Sequence, residues 1–130
     1  MTWFIRACAF YNASAAVVFL TPGLLPALGV KPPYSPFWLW LPSLFAVFAS
    51  TVLMFSAADL KRLGTFPYWN GIVRLAFVVV TFALDFGGTV GPFIRVLAIG
   101  DLALALGCII GLPLATGRTH LELLTNRGTT

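Results

Sequence analysis

The sequence predicts an all-α protein, an integral membrane four-helix bundle. Three observations carry the prediction. Of the 130 residues, 59% are hydrophobic and 9% charged, and the mean hydropathy is +0.95. An ordinary soluble domain has roughly 45–50% apolar and about 25% charged residues. The apolar residues fall into four stretches, each about long enough to cross a ~30 Å hydrocarbon core as a helix. The formal net charge of +4 comes from basic residues scattered along the chain. That scatter fits the charge asymmetry of membrane loops rather than a nucleic-acid-binding patch. The length suits one domain, with too little polar surface to wrap a water-soluble globule.

The first helix covers about residues 3–20, ~27 Å of rise. Trp3 suits the interface, and Arg6, one turn inside, can snorkel outward. Ala9, Ala13 and Ala16 form a small-residue seam that lets another helix approach closely. Asn12 falls near mid-membrane, where it serves an interhelical hydrogen bond or a ligand contact. A cleaved signal peptide fits poorly: Arg6 is the one early charge, and Tyr11 and Asn12 interrupt the apolar run. The segment reads as a retained helix.

The connection over residues 21–36 holds Pro22, Pro26, Pro32, Pro33 and Pro36, so it cannot be one helix. Its apolar part, LLPALGV, is expected in the interface, followed by a stiff extended KPPYSP. The second helix covers about residues 37–57. It opens with an aromatic belt, Phe37, Trp38 and Trp40, and Pro42 lies near its start. Its hydroxyls, Ser43, Ser50, Thr51 and Ser56, can bond back to the preceding turn. A short polar link with Lys61 and Arg62 follows, bounded by Gly64 and Pro67. Tyr68 and Trp69 mark re-entry into the membrane.

The third helix is expected over about residues 69–86. Asn70, Arg74, Thr81 and Asp85 recur at helical spacing, forming a polar stripe on a surface of Leu, Phe and Val. In a membrane such a stripe faces the bundle. A glycine-rich turn, residues 87–92, leads to the fourth helix, about residues 92–115, with Pro92 in its first turn. Gly100, Ala103, Gly107 and Gly111 make a second small-residue seam. Asp101 lies ~15 Å in, near the midplane. In the tail, residues 116–130, Thr119 and Glu122 match a capping box. That pattern predicts a short interfacial helix carrying Leu121 and Leu124. A helix so short is marginal alone and calls for a surface to hold it, such as a partner chain.

Topology follows from the basic residues. Arg6, Lys61, Arg62, Arg118 and Arg127 fall on one side, and Lys31 and Arg95 on the other. The bias predicts cytoplasmic termini. Antiparallel third and fourth helices then bring Asp85 near Arg95. They also leave Arg74 and Asp101 ~7 Å apart along the axis, within reach of an arginine side chain. The expected pairs are Arg74–Asp101 and Arg95–Asp85. They either neutralise buried charge and fix helix register, or Arg74 and Asp101 border a small-molecule or quinone-head pocket, or Asp101 is a proton-carrying carboxylate. Asn12 and Asn70 join Arg74, Asp101, Asp85 and Arg95 as candidate site residues.

Other chemistries are excluded. His120 is the sole histidine and lies in the tail, so one chain offers neither bis-histidine haem ligation nor a histidine-rich metal site. The spans hold no nucleophile–histidine–acid triad and no phosphate-binding glycine motif. Cys8 and Cys108 form no CxxC and read as small buried hydrophobes at similar depth.

The layout RACAFYNASAAVVFLTPG, FSAADLKRLG, YWNGIVRLAFVV and LAIGDLALALG resembles the DoxX-like group of small four-helix bacterial membrane proteins. The resemblance covers about residues 3–115. It implies a bundle of the bacterial inner membrane with an Arg and an Asp inside, here Arg74 and Asp101. Some relatives are subunits of quinone-linked oxidoreductases, so it also implies a quinone as a candidate cofactor. The absence of catalytic residues, the seams and the small size favour a non-catalytic accessory subunit of a larger inner-membrane complex, respiratory or photosynthetic. Its partners would be the lipid bilayer and other membrane proteins, with no nucleic acid. The alternative is a subunit that binds a quinone or another lipophilic ligand. A small transporter or stress-related membrane protein is the third reading.

Overall fold

The computed structural model describes residues 1–127. The end of the expected tail, residues 128–130, lies outside the described residues. The chain is all-α. Among the described residues, four helices are long and apolar enough to cross a membrane, and four short ones join or flank them. In order these are α1 (Thr2–Leu20), α2 (Leu24–Ala27), α3 (Phe37–Ala58), α4 (Leu60–Leu63), α5 (Thr65–Ala83), α6 (Phe86–Thr89), α7 (Phe93–Thr116) and α8 (His120–Thr125).

The long helices pack as two close pairs, α1 along α3 and α5 along α7, and the pairs then face each other. Small residues make the close approach work. A Cβ added to Gly71 of α5 would sit 2.8 Å from Cys108 Cβ on α7. One added to Gly107 of α7 would sit 2.2 Å from the ring of Phe4 on α1. The core fills the half of the bundle that carries both termini. Ile5, Cys8 and Ala9 meet Leu53, Ala57, Tyr68, Cys108, Leu112 and Leu123 there. Outward faces are apolar: Phe45, Phe48, Val73, Val79, Ile99 and Ile110 are all exposed, as suits contact with lipid.

The third spanning helix differs from the expected 69–86. It begins at Thr65, because Pro67 falls in its first turn, where a missing N–H breaks no helical bond. It ends at Ala83, so Asp85 leaves the stripe that periodicity assigns to it. Asp85 adopts φ 47° and ψ 52° and starts α6, accepting the Gly88 N–H. Asp tolerates this left-handed conformation better than most residues, and its cap competes successfully with continuation of α5. Pro92 precedes the fourth spanning helix as its N-cap.

The connection from α1 to α3 folds back onto the bundle. Leu25 and Val30 are buried. The Lys31 N–H bonds to the Val90 carbonyl at 2.8 Å, stapling this loop to the connection before α7. Gly91 has φ 153°, and a Cβ there would lie 2.2 Å from the Gly29 carbonyl oxygen. Side-chain-free backbone is what permits the staple.

The tail is held by the chain itself. Thr119 and Glu122 form the expected capping box. Leu123, rather than Leu121 or Leu124, is the fully buried residue of α8. Tyr68 and His120 share a hydrogen bond at 2.7 Å, Trp69 donates to the Leu124 carbonyl at 3.1 Å, and Thr65 bonds Asn126 at 2.9 Å. Arg118, buried beneath the helix, donates to the carbonyls of Lys61, Glu122 and Arg127.

Candidate functional site

The site begins with one buried cation. Arg74, on the bundle-facing side of α5, has a side chain only 5% exposed. Its planar guanidinium carries five N–H donors in a fixed fork and cannot discharge. Hydrocarbon offers no water, so the protein must supply the acceptors. Nη1 donates to Asp101 of α7 and Nη2 to Asn12 of α1. Nε donates to the Asn70 side-chain oxygen at 2.9 Å, one helical turn back on α5. The guanidinium carbon lies 5.1 Å from the ring centroid of Tyr11, a cation–π contact. Asp101 is 14% exposed and balances the charge. Three helices thus converge on one neutral polar cluster. Arg74, Asp101, Asn12 and Asn70 are brought together, and the cluster ties the α1–α3 pair to the α5–α7 pair.

Next to the cluster, in the half of the bundle away from the termini, lies a cavity of about 430 Å³ between α1, α5 and α7. Small-molecule sites typically span roughly 300–1,000 Å³. Val18, Phe19, Phe77, Phe93 and Leu97 supply apolar walls, while Tyr11, Asn12, Arg74 and Asp101 line it as well. Leu25 and Val30 line it from the loop. The cavity exists because α1 touches α7 closely only nearer the termini, with Phe4 against Gly107 and Met1 against Gly111. Beyond Tyr11, which meets Gly100, residues of α1 and α7 face each other across the cavity.

The second ion pair is placed differently from the expectation. Arg95 donates to Asp85 at 2.6 Å, but the two side chains are 51% and 64% exposed. This is a peripheral pair at the far end, not a buried one, because Asp85 has left α5. Hydrogen bonds from Arg95 and from the Gly88 N–H hold the Asp85 carboxyl below its ordinary pKa. Arg95 lies across Gly87, whose added Cβ would stand 2.1 Å from Arg95 Nε. Neither residue lines the cavity.

Thr81 stays on the buried side of α5 but does not join the cluster, and its hydroxyl has no partner among the described residues. Tyr11 is the site residue that sequence reasoning passed over. A tyrosine beside Asn12 in the small-residue run ACAFYNASAA was the available signal. Among the described residues, no group of three or more His, Cys, Asp and Glu could hold a metal ion. Cys8 and Cys108 are free and buried.

No protein-family model, curated protein or solved structure matches the chain. Fold and site define a small multi-pass helical membrane protein, with a charge-balanced polar cluster set against an apolar cavity.

Proposed function

We propose that the protein binds a lipophilic small molecule within the bilayer, the polar head of the molecule resting at the Arg74–Asp101 cluster. The observation that carries this reading is an apolar cavity of about 430 Å³ with polar groups gathered at the cluster. A quinone is the ligand class to which the DoxX-like resemblance points, with the protein as a membrane subunit of an oxidoreductase. The three glycines of the α7 seam, one motive for a partner-binding role, are covered within the chain, while Ala103 is exposed. Tyr11, Phe4 and Met1 cover Gly100, Gly107 and Gly111.

The second reading is an accessory subunit of a larger inner-membrane complex. It is favoured by the outward face of α3, where Phe45, Phe48 and Phe55 are exposed and suit a neighbouring transmembrane helix. In both readings the protein resides in a bacterial inner membrane with its termini in the cytoplasm, as the basic residues near Arg6, Lys61, Arg62 and Arg118 favour.

The test is purification of the tagged protein in gentle detergent, with mass spectrometry of both bound proteins and extracted lipids. A lone chain carrying a near-stoichiometric quinone or other neutral lipid, lost in Arg74→Met, is the expected result. A stoichiometric set of partner subunits with no enriched lipid would replace it with the accessory reading.

A further inference from the structure

The cluster leaves particular atoms unused. Arg74 is donor-only, so the Asn12 oxygen must face it and the Asn12 amide nitrogen must turn away. That nitrogen has no partner among the described residues, and neither has the Tyr11 hydroxyl. Both side chains line the cavity. Asp101 engages Arg74 through Oδ1, and its Oδ2 has no partner among the described residues. In hydrocarbon, unpaired donors carry a free-energy cost that a bound acceptor removes.

The charges narrow the acceptor further. The Arg74 charge is already balanced by Asp101, and an anionic head would meet the free Asp101 oxygen. A cationic head would meet Arg74 itself. Access is lateral. Leu25 and Val30, both buried, line the loop side. Met1 and Phe4 pack on α7 at the terminal side. Ser14 lines the cavity and is exposed, which places the opening at the side where α1 and α7 border it.

We infer that the occupant is a neutral, lipid-soluble carbonyl compound that enters sideways from the bilayer, its carbonyl oxygen accepting from the Tyr11 hydroxyl and the Asn12 amide. This rests on the ligand-binding reading above and adds the head chemistry, the donors and the route.

The test compares three probes on the full-length protein in lipid nanodiscs: decylbenzoquinone, dodecanoate and decylbenzene. Affinity is read by equilibrium binding, and the carbonyl stretch of the bound quinone by infrared difference spectroscopy. The quinone should bind best, with its carbonyl band lowered. Tyr11→Phe keeps the ring over Arg74 and removes only the hydroxyl. It should weaken quinone binding about fivefold to tenfold, the loss of one hydrogen bond, and move the carbonyl band back up. Ser14→Trp, at the lateral opening, should slow association of the quinone, and association as fast as in the unaltered protein overturns the lateral route. If none of the probes binds the unaltered protein, the ligand-binding reading falls and this inference with it. If the quinone binds but Tyr11→Phe changes neither affinity nor band, the donor assignment alone is overturned. Equal or tighter binding of dodecanoate or decylbenzene overturns the neutral-carbonyl assignment.

Discussion

Replacing Asp101 by leucine isolates what the central ion pair holds together. The side chain lost is 14% exposed, and the partner left behind, Arg74, is 5% exposed. Breaking a buried pair by removing one member typically costs about 3–5 kcal/mol, because the other charge stays buried without compensation. Asn12 and Asn70 would still accept from Arg74, which places the loss at the lower end, ~3 kcal/mol or roughly a hundredfold in the folding equilibrium. Arg74→Met should cost less, since a stranded carboxyl can take up a proton and a stranded guanidinium cannot release one. The double variant Arg74→Met/Asp101→Leu removes both charges and should recover most of the loss. The assay is reversible unfolding in mixed micelles of rising dodecyl sulfate fraction, followed by circular dichroism, with the three variants read as a double-mutant cycle. If the two losses simply add in the double variant, the pair carries no coupling energy and the reasoning fails. An Asp101→Leu protein as stable as the original would refute it as well.

Gly71→Ala forces a Cβ to within 2.8 Å of Cys108 Cβ. It should destabilise the α5–α7 pair by about 1–3 kcal/mol, as overpacking does, shifting the same unfolding midpoint. Thr119→Ala removes the α8 cap, so the amides of the tail helix should exchange about fivefold faster by hydrogen–deuterium exchange mass spectrometry. The Thr119 N–H and hydroxyl hold the Glu122 carboxyl below its ordinary value of 4.5. A carboxyl lowered on folding stabilises the tail above its unfolded pKa and ceases to do so as pH falls through the folded one. Protection of α8 should therefore be level near neutrality and lost only in acid below that ordinary value, and a loss between pH 6 and 8 would contradict the assignment. Cys8 and Cys108 are buried, so a Ser35→Cys variant should be the only form that reacts with an impermeant maleimide, and only from the outer face. Labelling from the cytoplasm alone would reverse the topology.

The spans and the centre of the site were legible because each left a local signature. Asn70 and Arg74 stand one helical turn apart, and depth counted from the helix ends brings Asn12, Arg74 and Asp101 to neighbouring levels. Asp85 departs from its expected place on the stripe because the helical period runs on through it. Periodicity does not register that Gly87 and Gly88 follow, or that a capping aspartate can turn the chain at once. The start of α5 departs from expectation for the opposite reason: Gly64 and Pro67 look like breakers, yet proline in a first turn removes no bond. In the tail, the pattern gave a capped amphipathic turn but not which leucine faces inward. The docking surface of Tyr68 and Trp69 decides that. The cavity had no signature at all, because it depends on where α1 parts from α7, a distance between helices rather than a property of either.

The pairing of helices also bears on how the chain enters the membrane. Arg74 and Asp101 belong to the same hairpin, α5–α7, while Asn12 belongs to the other. A charged residue at a helix centre resists insertion by about 2.5–3.5 kcal/mol on translocon scales. Delivered together, the two charges can neutralise each other within one hairpin before it meets α1 and α3. The order of synthesis places Asn12 in the bilayer first, as an uncharged receptor for a cation that arrives already accompanied by its anion. Assembly of the two hairpins then brings no unpaired charge to the buried cluster, and the polar cluster becomes the mark of their correct register.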